Sequence, residues 1–409
     1  MAAGAQQLKL ESTHPGDPQL FYDDTWGPVF ARLRREDPVH FTPESPYGPY
    51  WSVTKYDDIV TVDLDPQNFS AKAKLGGIMI MDLPAGTDRD SFIRMDPPEH
   101  TAKRKVVAPI VAPTNLANME GLVRERTCMV LDSLPRNETF DWVKELSIPL
   151  TTMMLATLFD FPWEDRAKLT WWSDVINCDI TAPDPVVSSQ EEQIKHFGEM
   201  EAYFRALWDQ RAKEPPKFDL VSMMAHSEAN QNMSPKEFLG TLTLLISGGN
   251  DTTRNTMTCS LMKLVENPEQ FEMLRSRPDL VPALVSESIR YHSPLLHLRR
   301  TTTTDVELNG RLIPKGSKVV MWYVSGNRDE DKFENPDEFR IDRAKPRAHI
   351  AYGSGIHRCV GDRLAELQLR TLWEEILNRK MQFEVLGPPK RLYSNIIHGL
   401  RSLPVRILS

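Results

Sequence analysis

Cys359 sits near the end of the run Tyr352-Gly353-Ser354-Gly355-Ile356-His357-Arg358-Cys359-Val360-Gly361, the segment of the chain richest in chemically suggestive residues. Glycines at 353, 355 and 361 are expected to take positive φ values and let the backbone approach a flat ligand closely. A helix is predicted from Cys359 to Arg379, which places the cysteine where free N–H groups and the helix dipole favour an anion. On that reading both effects stabilise thiolate over thiol. A thiolate is a soft, electron-releasing donor, suited to pushing charge onto iron and helping to split dioxygen. The plainer alternative is a buried cysteine in a glycine turn before a helix.

Three further constellations bear on the same chemistry. Gly248-Gly249-Asn250-Asp251-Thr252-Thr253 lies near the middle of a long predicted helix. Two glycines inside a helix cost about 1 kcal/mol each relative to alanine, so something should compensate, and an acid and an alcohol follow at once. Tight packing at the glycines, with the threonine bonded to its own backbone, is the bland account. Glu287-Ser288-Ile289-Arg290 sets opposite charges at i and i+3 on one helical face. Exposed pairs of this kind contribute under about 1 kcal/mol. His100 and Arg104 stand one turn apart after Asp96-Pro97-Pro98, a basic pair that is otherwise usually a solvated face.

The cysteine run, with its aromatic residue, glycines, basic residue and cysteine at fixed spacing, resembles the haem-binding loop of cytochrome P450, the haem-thiolate monooxygenases. The resemblance continues in order along nearly the whole chain. It implies a mainly α fold with small β-sheets, haem b sandwiched between a long central helix and the cysteine loop, and iron held by Cys359. It implies that His100, Arg104, His357 and Arg300, five residues before Asp305, face the haem propionates, which need cationic partners. Tyr352, Gly353 and Gly361 would border the cofactor. Asp251 and Thr252 would deliver protons to dioxygen as it is reduced. Glu287 and Arg290 would be buried and joined by Arg343 from the loop after Asn335-Pro336-Asp337-Glu338-Phe339, a structural role. Tyr352 departs from the family's usual phenylalanine, and its hydroxyl is expected to reach solvent.

The segments GGNDTTRN (248–255), MWYVSGNRDE (321–330) and IHRCVG (356–361) look like those of the bacterial terminal alkane hydroxylases, which implies oxidation of a medium-chain hydrocarbon at its terminal methyl. An alkane offers no hydrogen-bond handle, so its pocket should be apolar and narrow. Candidate lining residues are Leu245, Ile246 and Gly249 on the long helix, Leu295 and Leu296 after the Glu287 helix, Ile78 and Met81 in a mobile loop over the pocket, and Ile396 and Ile397 in the tail. Terpene or fatty-acid hydroxylation is the alternative, and a haem-based gas sensor another, although a sensor gains nothing from a proton relay. The chain has no G-x-G-x-x-G fingerprint and no cysteine set for an iron–sulfur cluster, so electrons must come from another protein. The expected donor is a [2Fe-2S] ferredoxin with its NAD(P)H-dependent reductase. Lys/Arg at 340, 343, 345, 347, 358 and 363 against Asp342 and Asp362 give a local charge of +4. With Lys103 and Lys105 they are a candidate docking face for an acidic ferredoxin.

These residues need a large helical frame to hold them. Ser234, Pro235 and Glu237 predict a capping box, and helical continuity runs to Glu266, stopped by Asn267-Pro268. Helical patterning extends from about 116 to 275; strands are predicted at 50–54, 299–304 and 318–323, with a hairpin turn at Asn309-Gly310. The 409 residues, with a net charge of -8, are read as one domain over 1–409. The acidic balance argues against a general nucleic-acid binder. No apolar run approaches the roughly 20 residues of a membrane span. Met1 to Asp17 lacks the pattern of a signal peptide, so the cytoplasm is the expected compartment. Cys128, Cys178 and Cys259 form no C-x-x-C or zinc spacing and read as ordinary small side chains.

Overall fold

The computed structural model describes residues 14–83 and 89–408. The N-terminal reading of Met1 to Asp17 therefore falls, through residue 13, outside the described residues. The architecture is mainly helical with small sheets at its edges.

Its axis is the helix Pro235–Glu266, 32 residues long and about 48 Å at 1.5 Å per residue. Ser234 Oγ accepts the Glu237 amide at 3.2 Å. The other half of the predicted capping box is replaced, because the Glu237 carboxylate pairs with Lys103 instead of returning to the cap. Nearly every residue from Arg254 to Leu264 is buried, as a helix through the core must be. Helices Ile148–Phe159, Ala167–Ile176 and Val281–His292 pack against it.

The stretch read as helical from 116 to 275 contains a strand, Thr139–Asp141, which pairs with Pro404–Leu408 at the far end of the chain. Three residues with a distant partner leave no local periodicity to read. The five-stranded sheet has the order Val39–Thr42, Tyr50–Val53, Lys318–Trp322, His297–Thr302, Phe69–Ser70. Tyr50–Val53 runs parallel to Lys318–Trp322, and the latter is antiparallel to His297–Thr302. Alternation along His297–Thr302 sends Arg299 and Arg300 to opposite faces. Arg299 bonds the carbonyls of Leu75 and Met79 and pairs with Asp82, while Arg300 turns to Asp63.

That bonding corrects the expectation of a mobile loop over 75–81. The segment is tied to the sheet: the Arg299 amide donates to Ile78 at 2.8 Å, Thr301 Oγ1 to Leu75 at 2.7 Å, and Lys318 Nζ to Ile80 at 2.8 Å. Among the described residues no helix is long and apolar enough to cross a membrane.

Candidate active site

The cysteine loop is built from backbone constraint. Gly353 and Gly355 take φ values of +68° and +64°, which a side chain would oppose. Gly361 does not; its φ is -95°, and a Cβ there would meet nothing within 4 Å. Its glycine serves open space beside the loop, not backbone geometry. The helix begins at Asp362, three residues after Cys359, so the cysteine belongs to the approach to the helix rather than to its first turn. The Cys359 amide donates to the Tyr352 carbonyl at 2.8 Å and fixes the loop's width.

Cys359 is exposed on the loop, and the protein around its sulfur still desolvates it. That desolvation pushes the thiol up to about 11, against the smaller downward pull of the Gly361 amide. The polypeptide alone therefore favours thiol, the reverse of the sequence reading, because desolvation outweighs the dipole and one N–H.

Tyr352 also departs from expectation. Its hydroxyl donates to the Asp362 carbonyl at 3.2 Å instead of reaching solvent, and the ring is half-buried. Burial pushes the phenol well above its ordinary range.

Beside this loop four basic groups converge. The rings of His100 and His357 lie 4.4 Å apart, and all four ring nitrogens are buried without a hydrogen-bond partner among the described residues. Burial lowers His100, helped by Arg104. Burial pushes His357 down to about 2, with Arg300, His100 and Arg104 adding to the fall. Burial lowers Arg104, which donates to the Arg358 carbonyl at 2.6 Å. Orphaned donors amid positive charge are the signature of a place for an anion, here one large enough to engage several cations.

On the long helix a strip opens where the rest is closed. Leu245, Gly248, Gly249 and Thr252, at i, i+3, i+4 and i+7, are half-buried or exposed, while Ile246, Asn250, Asp251 and Thr253 are covered. Gly248 faces open space, and a Cβ on Gly249 would come within 3.1 Å of Leu155. Thr252 Oγ1 donates to the Gly248 carbonyl at 3.0 Å. Asp251 turns the other way and is 1% exposed. Its Oδ2 accepts Ser173 Oγ at 2.7 Å and the Asn177 amide, and Arg254 pairs with it. Arg254 also reaches Asp174 at 2.6 Å. Burial raises the Asp251 carboxyl despite Arg254. Burial opposes the Arg254 cation in turn, and Asp251 and Asp174 more than offset it.

The comparisons with known proteins bear on this arrangement. The cytochrome P450 family profile matches residues 186–396. Linalool 8-monooxygenase of Pseudomonas putida is 37% identical over 95% of this chain and 97% of its own. This chain belongs to the cytochrome P450 family. A methyl-branched lipid omega-hydroxylase of Mycobacterium bovis is 33% identical over 94% of this chain and 91% of its own. Among solved structures, cytochrome P450-153 from Novosphingobium aromaticivorans has a TM-score of 0.90 at 46% identity, covering 97% of this chain and 100% of that one. CYP153D17 from Sphingomonas sp. PAMC 26605 has a TM-score of 0.90 at 47% identity, covering 96% and 98%.

A P450 implies haem with a cysteine thiolate ligand, and the residues present fit it. Cys359 offers the only sulfur on the loop, Arg104 and Arg300 offer the cations, the orphaned His100 and His357 offer ring N–H donors, and the glycine-opened strip leaves room. The Glu287 cluster supports the loop from behind. Arg290 donates to both Glu287 oxygens at 2.8 Å, and Arg343 Nε to both at 3.1 Å. Arg290 Nη1 reaches the Asn327 carbonyl at 2.8 Å, and Asn327 Oδ1 accepts the Ile350 amide at 2.8 Å, two residues before Tyr352.

The candidate lining residues separate into two groups. Leu245, Gly249, Leu295 and Ile396 are half-buried, and Leu295 bridges to Ile397. Leu296 does not line the pocket: extended chain turns it away from Leu295, into the cluster of Phe21, Trp26 and Trp322. Met81 is 50% exposed at the surface, Ile78 packs under the sheet, and Ile246 is core. The docking face is smaller than the sequence suggests. Lys103 is spent on Glu237, Arg340 on Asp342, Arg343 on Glu287, Arg347 on Glu366 and Arg358 on Asp362, leaving Lys105, Lys345 and Arg363 exposed. Asp63, Ser173, Asn177, Asp174 and Arg254 were not foreseen.

Proposed function

We propose that this P450 hydroxylates unactivated C–H bonds of apolar substrates, with the terminal methyl of medium-chain alkanes as its preferred target. The observation that carries the reading is the strip Leu245, Gly248, Gly249, Thr252, which offers hydrocarbon, bare backbone and a single hydroxyl, and no charge. Such a wall selects by shape. The motif resemblance to terminal alkane hydroxylases and the relative named for omega-hydroxylation support the position of attack.

When bound, haem b with the Cys359 thiolate supplies reductive cleavage of dioxygen and insertion of one oxygen atom, using two electrons and two protons to give an alcohol and water. The chain's own residues do the rest. His100, Arg104, Arg300 and His357 hold the propionates. Thr252 presents its hydroxyl to the open strip, and Asp251, kept protonatable by burial, replenishes protons from the network of Ser173, Asn177, Arg254 and Asp174. Residues 1–409 act as one domain in the cytoplasm. Electrons come from a [2Fe-2S] ferredoxin and its NAD(P)H-dependent reductase, docking on the residual basic face. Ferredoxin-supported turnover is expected to weaken as salt rises; no salt dependence would remove the electrostatic argument.

The test is a reduced, carbon monoxide-bound absorption spectrum of wild type and Cys359→Ala, followed by turnover of octane and linalool in competition. A strongly red-shifted Soret band lost in the variant, and octan-1-ol as the main product, are the expected results. Preferential oxidation of linalool would replace the alkane assignment with a terpene one, the reading favoured by the 37% identity to linalool 8-monooxygenase.

A further inference from the structure

Asp63 lies in the last turn of the helix Tyr56–Leu64 and is 3% exposed. It has no part in the chemistry described above, yet it touches two parts of the cofactor site that are remote from each other in sequence. Its Oδ1 accepts Arg300 Nη2 at 3.0 Å across 237 residues of chain. Its Oδ2 accepts the Ser354 amide at 2.9 Å across 291 residues, and the Tyr323 hydroxyl at 3.0 Å. The cysteine loop is moulded against it. A Cβ on Gly355 would lie 2.6 Å from the Asp63 carbonyl oxygen, and one on Gly353 would lie 3.4 Å from Oδ2.

A buried carboxylate is costly unless charged and hydrogen-bonding partners surround it. Asp63 has one guanidinium, one amide and one hydroxyl, so both oxygens are held in fixed directions. The Arg300 guanidinium is thereby oriented: Nη2 is pinned by Asp63 and Nη1 by the Arg299 carbonyl at 2.9 Å. The loop carrying Cys359 is pinned at Ser354 by the same side chain.

We propose that Asp63 is a positioning residue for the cofactor, a single buried carboxylate that fixes both the Arg300 cation and the cysteine loop. The proposal rests on the reading of Arg300 as a propionate partner. Asp63 acts on haem through Arg300 and Ser354 and touches no reacting atom. Burial raises its carboxyl, against the pull of Arg300, the Ser354 amide and the Tyr323 hydroxyl; as the carboxylate that these three partners fit, it opposes placing an electron on the iron, so its removal favours the reduced state.

The experiment uses haem-loaded protein and measures two quantities, the rate of haem transfer to excess apomyoglobin and the iron reduction potential. Variants are Asp63→Asn, Arg300→Gln and the double substitution. Asp63→Asn is expected to speed haem transfer by roughly tenfold, the scale of a lost charge-assisted hydrogen bond. The acceleration should be smaller when Arg300 is already glutamine, since part of the effect runs through it. The potential should rise in Asp63→Asn and fall in Arg300→Gln, opposite signs that a general loosening of structure would not produce. If Arg300→Gln alters both quantities and Asp63→Asn neither, the proposal is overturned while the propionate reading stands. If Arg300→Gln alters neither, the propionate reading fails and the proposal with it. Should Asp63→Asn not fold, Tyr323→Phe removes one donor to Oδ2 and is expected to speed haem transfer roughly twofold; no change would count against the proposal.

Discussion

Two acid–arginine pairs in this molecule share a spacing and differ in almost everything else. Glu287 and Arg290 stand at i and i+3 in one buried helix, and Asp251 and Arg254 at i and i+3 in another. Each carboxylate is 1% exposed. Around Glu287 the donors are abundant: Arg290 and Arg343 each give two bonds, and the Arg340 amide a fifth at 2.8 Å. The remaining Arg290 donors go to the carbonyls of Asn327, Pro336 and Glu338. Around Asp251 the provision is thinner. Arg254 Nε and Nη1 have no partner among the described residues, and neither has Asn250 Nδ2 next door. Asp174, the outer member, has a side chain 30% exposed. A cluster with every proton assigned is a clamp. A cluster with spare donors and a link to solvent can rearrange and pass protons.

The contrast can be broken first at its strong end. Glu287→Gln leaves two guanidiniums facing a neutral amide in the core and is expected to cost about 3–5 kcal/mol, read as a fall in unfolding free energy in urea. Turnover per folded, haem-loaded molecule should change little. A loss of specific activity without loss of stability would mean that Glu287 takes part in chemistry and that the two pairs are alike after all. Next, Asp251→Asn is expected to lower product formation by roughly a hundredfold, the lower range for a positioned acid–base group, while the protein stays folded and keeps its thiolate spectrum. Full activity would remove Asp251 from proton delivery. A smaller effect belongs to Thr252→Ala. Electron consumption should persist while product per electron falls, with peroxide accounting for the difference; unchanged coupling would leave Thr252 as a helix residue bonded to Gly248 and nothing more.

The two pairs were also unequally legible. Glu287-Ser288-Ile289-Arg290 announces itself in the sequence because both partners lie on one helical face, and the same rule applied to Asp251 would have found Arg254. The glycines and Thr252 mark the open face of the helix, whereas Arg254 lies on the covered one. Ser173, Asp174 and Asn177 come from another helix, and no spacing rule reaches across 74 to 80 residues of chain. Asp63 was less visible still, since its partners are set by the packing of a helix end against a sheet and a loop. The long helix, its N-cap and three strands of the main sheet were readable from periodicity and turn residues, which are local, while Val39–Thr42 and the two-residue Phe69–Ser70 were not. Failures came where an environment, not a pattern, decides: the Cys359 thiol raised by burial, the Tyr352 hydroxyl turned inward, and Leu296 packed into the cluster of Phe21, Trp26 and Trp322.

The smallest expected effect sharpens the comparison by pH. Burial raises the Asp251 carboxyl, so the folded state binds its proton more tightly than the unfolded chain does. A group shifted in this direction contributes its full stability below the unfolded carboxylate value, about 3.9, and loses it as pH rises through the higher folded value. Wild type should therefore lose stability relative to Asp251→Asn across that window, because asparagine does not titrate. The slope is bounded at about 1.4 kcal/mol per pH unit for one proton. Unfolding free energies of both proteins, measured at several values from mildly acidic to mildly alkaline, give the difference directly. A wild-type stability that falls relative to the variant as pH rises marks Asp251 as a carboxyl that the fold holds at a cost in order to keep a proton within reach. A difference that stays flat or moves in wild type's favour would mean that Arg254 fully compensates the charge, and the Asp251 pair would then be a second clamp.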